Sequence, residues 1–120
     1  MSNTRSYIYQ IIQVIPYGKV IYYGQISDVL LASHDIFLRG QVVGWQMSSM
    51  KKSLEYQESN WQRVIAKTGQ IVTHKLGLIG NLQLDLLAAE GVTATDGRID
   101  MAKYGIATEE LLNIYQEMLK

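Results

Sequence analysis

The sequence predicts a single α+β domain that is mainly helical, with a helix-turn-helix and short β elements. Three observations support this prediction. Apolar residues recur at helical intervals in several separate segments. Short β-branched and aromatic runs lie beside turn-forming residues. The 120 residues, 48% of them hydrophobic, suffice for one core and include no Pro-rich or low-complexity linker.

The first elements are a helix and a short strand. Residues Arg5 to Ile15 place four isoleucines and a tyrosine on one helical side, and Pro16 ends the pattern. Tyr17 to Lys19 form a turn around a glycine. Val20 to Tyr23 is a β-branched and aromatic run, typical of a strand or an extended bridge.

Two helices joined by a tight connection follow, which indicates a helix-turn-helix. Gln25 to Leu31 has apolar spacing for a short buried helix. Ser33 and Asp35 are candidate caps for a second helix over Ile36 to Met50. Trp45 on this second helix is expected to anchor it in the core, because aromatic residues at helical spacing usually pack inward, and a base-stacking side chain is the alternative.

The middle of the chain is predicted to be less regular. Lys51 to Ser59 is polar and charged, which favours a surface loop. Residues 63–65 and 70–72 are extended pieces on either side of Lys67 to Gly69, a hairpin-like turn signal.

Two further helices and a turn complete the prediction. Leu82 to Ala89 is a leucine-rich helix that ends near Gly91, as helices often do. Thr95 to Arg98 is a second turn. Thr108 is a candidate N-cap for a last helix with two glutamates in its first turn, where acidic groups suit the helix dipole.

The composition excludes several classes of function. The chain has no cysteine, so disulfides, thiolate metal sites and a thiol nucleophile are all excluded. Two isolated histidines, His34 and His74, do not suggest a zinc site, and no cofactor is expected. The polar N-terminus predicts neither a signal peptide nor a membrane span, which makes the cytoplasm the expected compartment. A monomer is expected.

The charge is balanced overall but unevenly distributed. Formal net charge is +0, which argues weakly against nucleic-acid binding. Residues 17–75 nevertheless hold seven basic and four acidic side chains, whereas residues 76–120 hold three basic and seven acidic ones. A locally positive face is therefore compatible with the sequence, and a solvated surface without function explains the same distribution.

The segment Ser59 to Ile65, Ser-Asn-Trp-Gln-Arg-Val-Ile, resembles a reactive-site motif whose reactive residue has been replaced. Alkylguanine-DNA alkyltransferases carry Pro-Cys-His-Arg-Val here, and the alkyltransferase-like proteins carry Pro-Trp-His-Arg-Val. Other fragments match the DNA-binding domain of this family in order and approximate spacing. They are Ile15–Val20, Tyr23–Ile26, Val43–Trp45, Arg63–Ile65, Gly69, Leu86–Leu87, Glu90–Val92, Asp96–Asp100 and Tyr104.

The resemblance implies a winged helix-turn-helix-like DNA-binding domain over residues 1–106. Residues 107–120 lie beyond it and are expected to form a helix packed on the same domain, with a partner-binding helix as the alternative. The implied function is non-enzymatic: minor-groove binding of duplex DNA, flipping of a guanine alkylated on its exocyclic oxygen, and marking of the lesion for nucleotide-excision repair proteins.

Candidate site residues follow from the same resemblance, position by position. The alkylated-base pocket would contain Tyr23, Trp61, Gln62, Arg63, Val72 and Lys75. The DNA-binding residues would be Tyr23, Arg39, Gln41, Val42 and Gly44. Trp61 would replace the thiol with a flat apolar wall. Arg63 is expected to brace the site, and Tyr23 to contact a phosphate or to be a core tyrosine.

Four positions depart from the family pattern or bear on such a departure. Gln41 stands where the family has the arginine that intrudes into the duplex, and glutamine lacks the charge and stacking face of that group. Arg39 could substitute only if the helix were rotated or its start distorted. Gln62 replaces the proton-relaying histidine, and Asn60 replaces a proline that would fix the backbone.

Two other classes of function stay open. A degenerate family member could serve as a protein-interaction or non-specific DNA-binding module. An enzyme of another chemistry is the third reading, although the sequence shows no hydrolase triad, carboxylate pair or phosphate loop.

Overall fold

The structure, a computed structural model, describes residues 3–71 and 78–120. The predicted class, a mainly helical α+β domain, is confirmed. In chain order the elements are α1 (Thr4–Gln13), β1 (Ile21–Tyr22), α2 (Tyr23–His34), α3 (Gly40–Met50), α4 (Leu54–Gln57), a 3₁₀ turn (Trp61–Arg63), β2 (Val64–Ile65), α5 (Leu78–Ala89), β3 (Ala94–Thr95), β4 (Arg98–Ile99), α6 (Met101–Tyr104) and α7 (Thr108–Leu119).

Helix α1 forms because its isoleucines share one side, and Ile8, Ile11 and Ile12 are fully buried. The helix ends at Gln13, earlier than predicted. Pro16 accounts for this, since its ring disfavours helical geometry for the residue before it. Within the described residues no helix combines the length and the apolar character that a membrane crossing requires.

The connection between α2 and α3 differs from the prediction. Asp35 has left-handed geometry with φ of 54°, and the N–H groups of Asp35 and Ile36 donate to carbonyls in the last turn of α2. Ser33 lies inside α2, so neither Ser33 nor Asp35 caps the next helix. The predicted helix start at Ile36 is wrong, because the chain stays non-helical through Arg39 and α3 begins at Gly40.

The main core lies around α2, which packs against α1, α3 and α7. Leu111 and Tyr115 are the buried residues of α7. The His34 ring stacks on Tyr7 with centroids 3.6 Å apart, and His34 Nε2 lies 2.6 Å from the Tyr115 hydroxyl. These contacts fasten the last helix to the first two.

A parallel pairing of β1 with β2 joins the two halves of the chain. Ile21 pairs with Val64 and Tyr22 with Ile65. Because the strands are parallel, the 3₁₀ turn that precedes β2 lies near the segment that precedes β1, and Arg63 of this turn donates to the Ile15 carbonyl. A second, smaller core cluster includes Ile65 of β2, Leu87 of α5 and Ile99 of β4.

The prediction of a surface loop over residues 51–59 is partly wrong. Ser53 caps the short helix α4 by accepting a hydrogen bond of 3.1 Å from the Tyr56 N–H. The predicted turn at residues 67–69 is present, since the Gly69 N–H donates to the Ala66 carbonyl at 2.8 Å.

The later turns mostly follow the sequence signals. Gly91, with φ of 84°, ends α5, and the antiparallel pair β3–β4 turns through Asp96 and Gly97, both of which have positive φ. Thr108 is the first residue of α7, and Ala107 occupies its cap position without a side-chain hydrogen bond. The prediction of Thr108 as the N-cap is therefore off by one residue.

Candidate functional site

A cavity of about 400 Å³ opens between α3, α4, the 3₁₀ turn and α5. Its walls are largely aromatic and aliphatic, with few polar groups at the rim. The lining residues are Tyr23, Gly44, Met47, Ser48, Lys51, Tyr56, Gln57, Trp61, Leu82 and Leu86. This size and this lining are typical of a site for an organic ligand of moderate size.

Three aromatic side chains define the cavity. Trp61 is 6% exposed and stacks with Tyr56, their ring centroids 6.1 Å apart and their planes 23° from parallel. Burial raises the pKa of Tyr56, and the neighbouring Tyr23 raises it further. Burial also raises the pKa of Tyr23. Both phenols therefore stay protonated near neutral pH and offer the cavity neutral hydroxyl groups.

Behind the cavity, Glu90 collects four hydrogen bonds. The Gly18 N–H and Arg63 Nε donate to Oε1 at 2.8 and 2.9 Å. Gln62 Nε2 and Arg63 Nε donate to Oε2 at 2.8 and 3.1 Å. Burial alone would raise the pKa of Glu90, but the hydrogen bonds from Gly18, Arg63 and Gln62 lower it below its usual value. Arg63 also donates from Nη1 to the Ile15 carbonyl at 2.6 Å, which completes the bracing arrangement.

The 3₁₀ turn that carries Trp61 is also held from two other sides. Gln83 Nε2 donates to the carbonyls of Gln62 and Val64, each at 3.0 Å. The Asn60 side chain donates to the Gln13 carbonyl at 3.2 Å, and its backbone N–H donates to Gln13 Oε1 at 3.1 Å. Hydrogen bonds to the end of α1 thus hold the position at which the family has a conformationally fixed proline.

Helix α3 contributes Gly44, Met47 and Ser48 to the lining of the cavity. Val43 and Met47 face the core, whereas Gln41 and Ser48 are exposed. Trp45 is 62% exposed, so the prediction that it anchors the helix in the core is wrong. Its place on the helix puts it on the solvent side, about 160–200° from Met47 and Val43.

The predicted pocket residues divide into three groups. Tyr23 and Trp61 line the cavity. Gly44, which the sequence predicted as a DNA-binding residue, lines it as well, and a methyl group at Gly44 would lie 3.8 Å from the Tyr23 ring. Gln62 and Arg63 lie behind it in the Glu90 network. The predicted pocket residues Val72 and Lys75 lie outside the described residues.

The remaining predicted DNA-binding residues lie at the beginning of α3. Arg39 is exposed, and its extended backbone places it just before the helix, so the helical offset of 200° from Gln41 does not apply. Arg39 forms no ion pair within residues 3–71 and 78–120. Val42 is half-buried beside Gln41.

Most of the cavity lining was not predicted as part of the site, and neither were two residues that hold the 3₁₀ turn, Glu90 and Gln83. Tyr56 falls in a predicted loop, and no periodic pattern marks it as a cavity residue. Glu90 was noted only as part of a fragment, and Gln83 only as a position in a helix. A buried carboxylate requires hydrogen-bond donors. The two adjacent donor side chains in the motif, Gln62 and Arg63, therefore indicated that an acidic residue such as Glu90 would pack against them.

No cluster of three or more metal-ligating side chains occurs in the part of the chain that the structure describes. Fold and site define a small helical domain with an aromatic cavity beside an exposed helix, and without a thiol. The protein-family model of the 6-O-methylguanine DNA methyltransferase, DNA binding domain, matches residues 3–92 of this chain. The chain belongs to this family, which confirms the resemblance carried by the ordered motifs.

Solved structures share the fold. Atl1 from S. pombe, crystallised with damaged DNA containing O6-carboxymethylguanine, is 24% identical, with a TM-score of 0.74 over 89% of this chain and 97% of Atl1. A crystal structure of S. pombe ATL in complex with DNA shows 26% identity and a TM-score of 0.68 with the same coverage. No curated protein sequence matches this chain.

Proposed function

We propose that this protein binds duplex DNA containing a guanine alkylated on its exocyclic oxygen, and that it holds the lesion without reacting with it. The observation that carries this proposal is the position of Trp61 in the wall of the 400 Å³ cavity. In the alkyltransferases that the chain resembles, the alkyl-accepting cysteine occupies this position. The S. pombe relatives were crystallised with DNA, one of them with an O6-alkylated guanine.

The cavity suits a flipped, alkylated base for physical reasons. Flat aromatic side chains can stack on a base or cover an alkyl group, and Trp61 and Tyr56 present such surfaces. Extrusion of a base costs a few kcal/mol and costs least where pairing is already damaged. Stacking and burial in the cavity offset that cost, which favours the lesion over an intact guanine.

The duplex would approach α3, with α2 and α3 acting as the helix-turn-helix in the minor groove. The Arg39 side chain, next to the exposed Gln41, is the cation at the start of this helix. Lys51 lies at its end, on the rim of the cavity. Because these cations are few and the net charge is +0, the salt dependence of binding should be shallow.

Retention is the useful outcome for a protein that cannot accept the alkyl group. The chain has no cysteine, so no thiolate can attack the alkyl carbon and release the guanine. A long-lived complex on the lesion would mark it for nucleotide-excision repair proteins, and a cytoplasmic monomer suits this role.

A competition titration tests the proposal. Two duplexes of identical sequence, one with a single O6-alkylated guanine and one undamaged, compete for the purified protein at fixed near-physiological salt. Tighter binding of the damaged duplex, with no change in its alkyl group after long incubation, supports a non-reactive lesion binder. Release of the alkyl group to water or protein would overturn the non-enzymatic part.

A second candidate function is favoured by Gln41 and by the balanced charge. Without the intruding arginine, the domain could serve as a protein-interaction or non-specific DNA-binding module. The same titration separates the two functions, because such a module binds both duplexes equally or binds neither.

A further inference from the structure

We propose that Trp45 is the side chain that enters the base stack and fills the space left by the flipped guanine. This inference rests on the proposed function and assigns a role within the same site. In this protein an aromatic wedge on the second turn of α3 would replace the cationic wedge that the family carries one turn earlier, where this chain has Gln41.

The first argument is the helical position of Trp45. Successive residues on an α-helix are about 100° apart, so Gln41 and Trp45 lie within about 40° of each other and Ser48 within about 60° of Trp45. All three are exposed, whereas Val43 and Met47 are buried. The outward stripe of α3, defined here as residues 41, 45 and 48, is therefore the face that a duplex can reach.

The second argument is the direction of the side chain. Side chains on an α-helix lean toward its N-terminus, so a long residue covers surface over the preceding turn. An indole at position 45 therefore extends over the turn that carries Gln41. It reaches the region from which an intruding side chain at position 41 would project, and it does so with a flat aromatic surface.

The third argument is the neighbourhood of the cavity. Gly44 and Ser48 line the cavity and flank Trp45 on the helix. Gly44 has no side chain, and a methyl group there would lie in ordinary contact with the Tyr23 ring, at 3.8 Å. A base that leaves the duplex for the cavity would therefore leave a gap close to the exposed indole.

The fourth argument is chemical. Side chains that intrude between base steps are commonly apolar, and aromatic side chains stack on any base, since every base has a π-face. An indole needs no positive charge for this purpose, which suits a chain with a net charge of +0. Gln41 is short and uncharged and has no comparable stacking surface.

The partner of the exposed indole is thus the DNA base stack, at the position beside the cytosine that has lost its paired guanine. An exposed tryptophan can also serve as the centre of a protein–protein contact. That alternative requires no change in lesion affinity when Trp45 is replaced, so the experiment on DNA separates the two.

The test compares Trp45→Ala and Trp45→Phe in the competition titration with alkylated and undamaged duplexes. Trp45→Ala should lose roughly 5- to 150-fold in affinity for the alkylated duplex, with a much smaller loss for the undamaged one. Trp45→Phe should restore most of the loss. Met118→Ala is the matched control, because Met118 is an exposed apolar side chain on α7, away from this face, and its replacement should change neither affinity.

A second measurement reports on the stack itself. The fluorescent base 2-aminopurine, placed beside the alkylated guanine, brightens when its neighbour leaves the stack and dims when an aromatic ring stacks on it. At saturating protein, the wild-type complex should be dim and the Trp45→Ala complex bright. Equal brightness in the two complexes, or an unchanged affinity ratio for Trp45→Ala, would overturn the wedge and leave lesion binding intact.

Failure of the proposed function gives a different result. Equal affinity of the wild-type protein for the two duplexes overturns lesion recognition, and with it the wedge, whatever the variants show. Because Trp45 is mainly exposed, thermal melting should show all three variants folded with midpoints near that of the wild type.

Discussion

Replacement of Glu90 by glutamine tests whether the carboxylate behind the cavity holds the Trp61 turn in place. Glu90→Gln keeps the size and shape of the side chain but removes its charge and turns one acceptor oxygen into a donor. That new N–H₂ group must face donors, because both carboxylate oxygens now accept from N–H groups of Gly18, Gln62 and Arg63. Rotation of the amide cannot satisfy all of them.

The size of the expected loss of stability follows from the burial of the two side chains. The Arg63 and Glu90 side chains are 10% and 6% exposed, so the guanidinium would lose its counter-charge where water cannot replace it. Breaking one side of a buried ion pair typically costs about 3–5 kcal/mol. We expect the lower end, about 3 kcal/mol, since the glutamine keeps one acceptor. For 120 residues this lowers the melting midpoint by roughly 12 °C.

Urea denaturation followed by circular dichroism measures the free energy of unfolding of both proteins. Glu117→Gln is the matched control. Glu117 pairs with Lys120 at 3.0 Å, but the two side chains are 68% and 76% exposed, so the loss of this pair should be barely measurable. If Glu90→Gln is no more destabilising than Glu117→Gln, the bracing role of Glu90 is refuted.

The pH dependence of the same measurement gives an independent test. The folded-state pKa of Glu90 lies below the ordinary value of 4.5. Between those two pKa values the unfolded chain binds more protons than the folded protein. The contribution of Glu90 to the free energy of unfolding is therefore complete above pH 4.5 and is lost as the pH falls through the folded-state pKa. The stability difference between wild type and Glu90→Gln should therefore shrink in acid. A difference that is constant from neutral pH into acid would contradict this assignment.

Three further predictions concern the cavity, the α3 face and a turn. Trp61→Ala should lower affinity for alkylated DNA about tenfold or more relative to undamaged DNA, because it removes the flat wall; an unchanged ratio in the titration would show that Trp61 does not contact the lesion. Gln41→Arg should tighten lesion binding about fivefold through added charge and stacking, and by more in the Trp45→Ala background if both side chains compete for one gap. Gly69→Ala should unfold in less urea than Gly97→Ala, since both glycines have positive φ but only at Gly69 would the new methyl overlap a backbone oxygen, that of Ile99. Equal urea midpoints for the two variants would show that the turn at Gly69 adapts.

Local signals in the sequence were enough for much of the fold. The helix α1, the end of α5 at Gly91 and the hairpin turn at residues 95–98 each follow from chemistry within a few residues. Pro16 and Gly91 act through their own backbone preferences, so no tertiary information is needed to place them. The ordered motifs likewise gave the family, since they depend on sequence order alone.

The face of α3 could not be predicted in the same way. Apolar side chains cover more than half of the circumference of this helix, at Val42, Val43, Trp45, Met47 and Met50, so periodicity does not indicate which part of it is buried. The start of α3 also depends on its surroundings. Asp35 is a good N-cap residue by type, yet the packing of α2 uses it in left-handed geometry as the end of the preceding helix.

The sequence by itself determined that this domain has no thiol, and therefore that no thiolate of this chain can accept an alkyl group. Only the tertiary structure decided that Trp61 stacks with Tyr56 in the lining of a cavity, that Gly18, Gln62 and Arg63 all donate to Glu90, and that Trp45 is exposed to solvent. The reason is that a missing functional group is a property of composition, whereas a binding surface depends on which distant segments the core brings together.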